Sequence, residues 1–158
     1  MTAKSELAES EWAESQLAGF IAKFAPDMQT QIRDCRANMQ ARFPHAFQLV
    51  YDNYNFLVIG FGPTPRASEA IFSLAAYARG VNLCFLQRGP ELSDPTSILR
   101  GSGKVVRSVA LVAAAQLDAD DVSALIRQAL TLAAVPMTPS AGGELIIKSV
   151  SGKQRPRR

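Results

Sequence analysis

Three observations place this chain in the α+β class, as a two-layer domain with helices on one face of an antiparallel β-meander of about five to six strands. Two amphipathic helical stretches come first. Four short apolar runs then follow almost without a break from Phe47 to Arg88: FQLVYD, NFLVIGFG, AIFSLAAYA and VNLCFLQR. A third helical stretch follows residue 118. Short apolar runs bounded by turn residues read as strands, and repeats of four at 3.6 spacing read as helices.

The first helix is expected over roughly Ser5–Phe24. Its stripe of Leu17, Phe20, Ile21 and Phe24 has the i, i+3, i+4, i+7 spacing of a helix with one buried face. Pro26 closes it and suits the first turn of the next helix, where the missing N–H costs nothing. That second helix should run from Pro26 to Arg42 with a seam of Met28, Ile32, Cys35 and Met39, and Pro44 should stop it. In the meander, Asn53-Tyr54 and Arg79-Gly80 are the expected two-residue turns. Gly62–Ser68 is a loop by composition. Gly89-Pro90 breaks the sheet, and Asp94-Pro95 is expected to open a short helical turn ending at Gly101.

A fifth strand is expected at Val105–Val112. Asp118 reads as the N-cap of a third helix carrying Val122, Leu125, Ile126, Ala129 and Ala133 on one face, with Pro136 beyond its end. Pro136–Gly143 reads as a linker. Glu144–Val150 suits an edge strand or a segment that orders on a partner, and Ser151–Arg158 reads as flexible. The chain therefore divides into one domain over 1–135 and a linker with a basic tail over 136–158.

A chain of 158 residues can bury a core without disulfides or a structural metal. No apolar run approaches the ~20 residues of a membrane span. The amino terminus, MTAKSELAESEWAE, is polar and acidic, which points to a cytoplasmic protein with Cys35 and Cys84 as reduced thiols. The net charge is +3. Lys148, Lys153, Arg155, Arg157 and Arg158 against Glu144 give 136–158 a charge of +4, which leaves −1 for 1–135. The body has no continuous basic face for duplex nucleic acid. Nucleic acid could be held only by electrostatic contacts of those five tail cations.

Alternation along the strands splits the meander into two sides. Phe72, Leu74, Ala76, Val81, Leu83 and Phe85 should take the helices. With the turns named above, Tyr51 and Leu49 join that apolar side. Asp52 and Asn55, with Gln48, then join Ser73, Tyr77, Asn82 and Arg88 on a mixed side. That mixed side is the candidate ligand surface, with Arg88 offering charge to an anionic group.

Other motifs carry less. Gly101-Ser102-Gly103-Lys104 lacks the first glycine and the Ser or Thr of a phosphate loop, with Ile98 and Val105 in those places, and it leads into a strand. His45 is the sole histidine and reads as a loop residue. Glu6, Glu9, Glu11 and Glu14 spread around their helix at ~100° per residue and converge nowhere. No metal-ligand spacing occurs, so no cofactor, metal or catalytic residue is expected.

Ala25-Pro26-Asp27 at a helix start, then VYDNYNFLVIGFGP, IFSLAAYARGVNLCFLQ and the GSGK turn into VVRSVAL, resembles the YdhG-like family, a bacterial group largely of unknown function. The resemblance covers roughly residues 18–132, and IIKSVSGKQRPRR is similar to a tail on one branch. It implies a compact α+β domain with an antiparallel sheet. Some relatives are described as frataxin-like, which implies iron handling as an alternative role. The leading expectation is a non-enzymatic binding module for a small molecule or protein, compatible with self-association. The iron-binding chaperone is second, and a nucleic-acid-associated protein acting through its tail is third.

Overall fold

The computed structural model describes residues 3–138 and 142–158, with side chains from residue 8 onward. The Glu6 side chain and the middle of the expected linker, 139–141, lie outside that description. The elements are α1 (Ala3–Ile21), α2 (Pro26–Arg42), β1 (Phe47–Asp52), β2 (Leu57–Gly62), β3 (Phe72–Tyr77), β4 (Gly80–Phe85), β5 (Arg107–Leu111), α3 (Asp120–Leu132) and β6 (Leu145–Val150). The sheet has six strands in the order β5-β4-β3-β2-β1-β6. β1 to β5 form the expected meander, while β6 pairs with β1 in parallel, so the sheet is mixed and open.

Helix boundaries follow local chemistry. Pro26 sits at the start of α2, and Asp27 in its first turn accepts from the Met28 N–H at 2.9 Å. A carboxylate there also complements the helix dipole. All four seam residues of α2 are buried, as are Leu17, Phe20, Ile21 and Phe24 at the end of α1 and beyond it. The third helix starts one residue later than an N-cap at Asp118 predicts, with Ala119 in the cap position. A 3-10 turn over Ala114–Asp118 precedes it, and Asp118 faces α2, taking Arg42 at 3.0 Å and Asn38 at 3.0 Å. Asp94 opens no helix. Its carboxylate accepts from the Ile98 and Leu99 N–H groups at 3.0 and 2.9 Å, which holds an irregular turn instead.

One continuous core lies between the helices and one sheet face. Phe72 is its centre, stacked on Phe43 at 5.4 Å and edge-on to Phe85 at 5.9 Å. The registers put Leu57, Ile59 and Phe61 of β2 on this face with Phe72, Leu74 and Ala76, then Val81, Leu83 and Phe85. The second hairpin turns at Ala78-Arg79, with Tyr77 opposite Gly80, so the expected turn was one residue late. That moves the register by two residues and leaves every side chain on its expected face.

The first hairpin has a four-residue loop, Asn53–Phe56, closed by Asn53 N–H donating to Phe56 O at 2.9 Å. Asp52 pairs with Leu57 and Gln48 with Phe61. Gln48 and Asp52 are therefore on the helix face, and Leu49 and Tyr51 are on the other, the reverse of the expected assignment. β2 settles it, because Leu57, Ile59 and Phe61 are large while Gly60 and Gly62 leave nothing to bury on the far side. The helices supply partners for the two polar residues. Arg36 donates to Gln48 Oε1 at 2.8 Å while forking onto Glu14 at 2.7 and 2.9 Å. Lys23 reaches Asp52 at 2.7 Å.

The carboxyl-terminal segment is part of this fold. Ser151 N–H donates to Asp52 O at 2.8 Å and Arg155 N–H to Tyr54 O at 2.9 Å. The Arg157 side chain is 3% exposed, lies over the Phe24 ring at 5.7 Å, and donates to Asp52 Oδ1 at 3.1 Å and Asn53 O at 2.6 Å. Composition alone marked these residues as a flexible tail. The buried carboxylate of Asp52 is what fixes them.

Candidate functional site

All three helices lie on one side, so the other face of the sheet is floored by residues of alternate parity. One cross-strand row reads Tyr51, Val58, Ala75, Asn82 and Ala110. The next reads Leu49, Gly60, Ser73, Cys84 and Ser108. Small side chains dominate the middle strands, and none of these ten residues is charged.

Two rims frame the floor. On one side the segment after Gly62 folds back onto the sheet. A Cβ on Gly62 would stand 2.9 Å from Ala70 Cα, so only glycine lets the two backbones meet there. Ile71 N–H donates to Phe61 O at 2.9 Å, and Gln87 Nε2 donates to Ala70 O at 3.0 Å. Thr64 and Glu69 bond across the same segment. On the opposite side Tyr77 meets Phe56 edge-on at 5.9 Å, with Tyr77 38% exposed.

Polar groups on the floor are neutral. Asn82 is half-buried, and its carboxamide has no hydrogen-bond partner among the described residues. Ser73 is buried beside Cys84. Burial pushes the Cys84 thiol up, and its hydrogen bond with Ser73 offsets part of that. Cys35 lies in the core, where burial and then Asp34 push its thiol up to about 11. Neither thiol has the depressed pKa of a nucleophile.

Of the expected site residues, the structure brings together Ser73, Tyr77 and Asn82. Asp52 is on the other face of the sheet, fully buried. Asn55 is exposed in the β1–β2 loop. Arg88 lies past β4 in the left-handed region at φ 51°, and its guanidinium forks onto Glu91 at 2.5 and 2.6 Å. Its charge is thus already met by Glu91. Tyr51 and Phe56 are the residues that sequence reasoning left off this face. The signal for Tyr51 was the glycine pair of β2, which marks the side that β1 must share.

Of the five tail cations, Arg157 is enclosed, Arg155 stacks over Tyr54 at 5.7 Å, and Arg158 donates to Lys23 O at 3.2 Å. Lys148 and Lys153 are exposed. A separate cavity of about 370 Å³ lies among Arg42, Phe43, Pro44, His45, Ala46 and Met137. It gives His45 a setting that the sequence did not suggest. Arg42 is already committed there to Leu117 O and Asp118, at 3.1 and 3.0 Å. Among the described residues, no group of three His, Cys, Asp or Glu side chains is placed to hold a metal. No described helix is long and apolar enough to cross a membrane.

No family model, curated protein or solved structure matches this chain.

Proposed function

We propose that this chain is a cytoplasmic, YdhG-like binding module that holds a flat, uncharged ligand against the open face of its sheet. The observation that carries the reading is the helix-free floor of small residues, edged by Tyr77 and Phe56, where Leu49, Gly60 and Ser73 are buried but Tyr51, Asn82 and Ser108 stay partly exposed and the Asn82 carboxamide has no hydrogen-bond partner among the described residues. A floor of Gly, Ala and Ser admits a planar group to close contact. An aromatic edge adds stacking area, and an amide supplies both donors and an acceptor. Without Arg88 or Asp52 the ten floor residues carry no charge, so the ligand class shifts from anionic to neutral.

The alternatives have less support. An iron chaperone needs grouped oxygen or imidazole donors. A nucleic-acid tail needs free cations, and three of the five cations are engaged with the body of the domain.

Tyr77→Ala tests the proposal. The side chain is partly exposed, so the fold should persist, with a loss of about 0.5–1.5 kcal/mol from the missing aromatic contact. Native mass spectrometry of gently purified protein should show a small-molecule adduct on the wild type that Tyr77→Ala loses. An adduct retained at the wild-type level by the variant would contradict the reading.

A further inference from the structure

The two edges of the sheet are treated differently. The β5 edge is closed by the chain itself. Arg100 and Ser108 exchange backbone hydrogen bonds at 2.7 and 3.0 Å, Gln116 Nε2 donates to Ala110 O at 3.1 Å, and Gln31 Nε2 donates to Leu111 O at 2.9 Å. Among the described residues the β6 edge has no such hydrogen-bonded cover. Glu144 O accepts from Gln48 N–H at 2.9 Å, and Leu49 and Val50 are in register with Ile146 and Ile147. In a parallel ladder this points the backbone groups of Glu144 and Ile146 at β1 and those of Leu145 and Ile147 outward. The outward pair has no hydrogen-bond partner among the described residues. Leu145, Ile146 and Ile147 are each only partly buried. An apolar edge strand with unpaired backbone groups is a template for another strand.

We infer that the β6 edge pairs with the β6 edge of a second copy of this chain, antiparallel and two-fold about Ile146. The register follows from the free groups and the charges. Leu145 and Ile147 are two residues apart, so a two-fold axis at Ile146 sets Leu145 opposite Ile147 of the second copy, and the reverse. Each is a hydrogen-bonded pair that exchanges two N–H···O bonds. Counted along the strand, the same axis sets Glu144 opposite Lys148 of the second copy, twice over, Lys148 being the residue at which β6 bulges against β1. Both side chains are exposed, and opposite charges facing each other across strands favour the pairing. A two-fold contact of this kind is self-complementary and closes at the dimer. Ile146 meets its own equivalent at the centre, which joins the Leu49 row of one copy to that of the other. The pairing stands independently of what the open face binds.

Sedimentation velocity on the full chain decides it. The wild type should sediment as a dimer at micromolar concentration. Lys148→Glu sets two glutamates against each other at both ends of the contact, and should weaken the dimer about tenfold. The double variant Glu144→Lys/Lys148→Glu restores opposite signs and should return the wild-type affinity. Circular dichroism should show the same fold for all three, since both positions are on the surface. A wild type that is monomeric at about 100 µM would overturn the inference. So would a dimer that is indifferent to Lys148→Glu, or one that the double variant fails to restore.

Discussion

Asp52→Ala is expected to destabilise this domain by about 3–5 kcal/mol, measured by urea unfolding, because it strands a buried arginine. The Asp52 carboxylate is fully buried and faces two cations, Lys23 at 2.7 Å and Arg157 at 3.1 Å. The two are not equivalent. Lys23 is 42% exposed and can turn to water, whereas the Arg157 side chain is 3% exposed. Its Nε and Nη1 have no hydrogen-bond partner among the described residues, so Asp52 and the Asn53 carbonyl are what compensate the charge. Without Asp52 the arginine must leave its place over Phe24, and the segment from Ser151 onward should detach with it. Arg157→Met should lose less. Methionine can fill the space over the Phe24 ring, and Lys23 still neutralises the carboxylate. Hydrogen exchange should report the difference, with residues 151–158 unprotected in Asp52→Ala.

Phe72→Ala should cost a similar amount, about 3–5 kcal/mol, by a different mechanism. Phe72 is fully buried and touches Phe43 after α2 and Phe85 on β4. Truncation opens a cavity where the helix layer meets the middle of the sheet, and a close-packed surround relaxes only partly into such a gap. Phe72→Leu keeps much of the volume and should lose markedly less. A loss in Phe72→Ala no larger than in Phe72→Leu would mean that the site collapses around the gap.

These two residues mark what the sequence could and could not reveal. The fold class, the helices and the helix-facing row from Phe72 to Phe85 were legible because apolar spacing reports burial directly. β1 was misread because its polar residues are the buried ones. Gln48 and Asp52 look like a solvent face until Arg36, Lys23 and Arg157 are seen to reach them. Two of those partners come from the helical region and one from the end of the chain, and no local pattern announces such contacts. The same blindness made the carboxyl-terminal residues look flexible. Three of the six candidate residues share one face of the sheet for a simple reason. Ser73, Tyr77 and Asn82 share one hairpin, where a register error of two residues changes no facing. Asp52, Asn55 and Arg88 were attached to that group through the first hairpin and an extension of β4, and each step could fail separately.

The open face is the centre of this account, and amide chemical-shift mapping tests it most directly. With a library of neutral aromatic and heteroaromatic metabolites, compounds that bind should shift the amides of Tyr51, Ser73, Ala75, Tyr77 and Asn82 together. Binding that leaves those amides still and moves the residues around His45 and Met137 instead would contradict it.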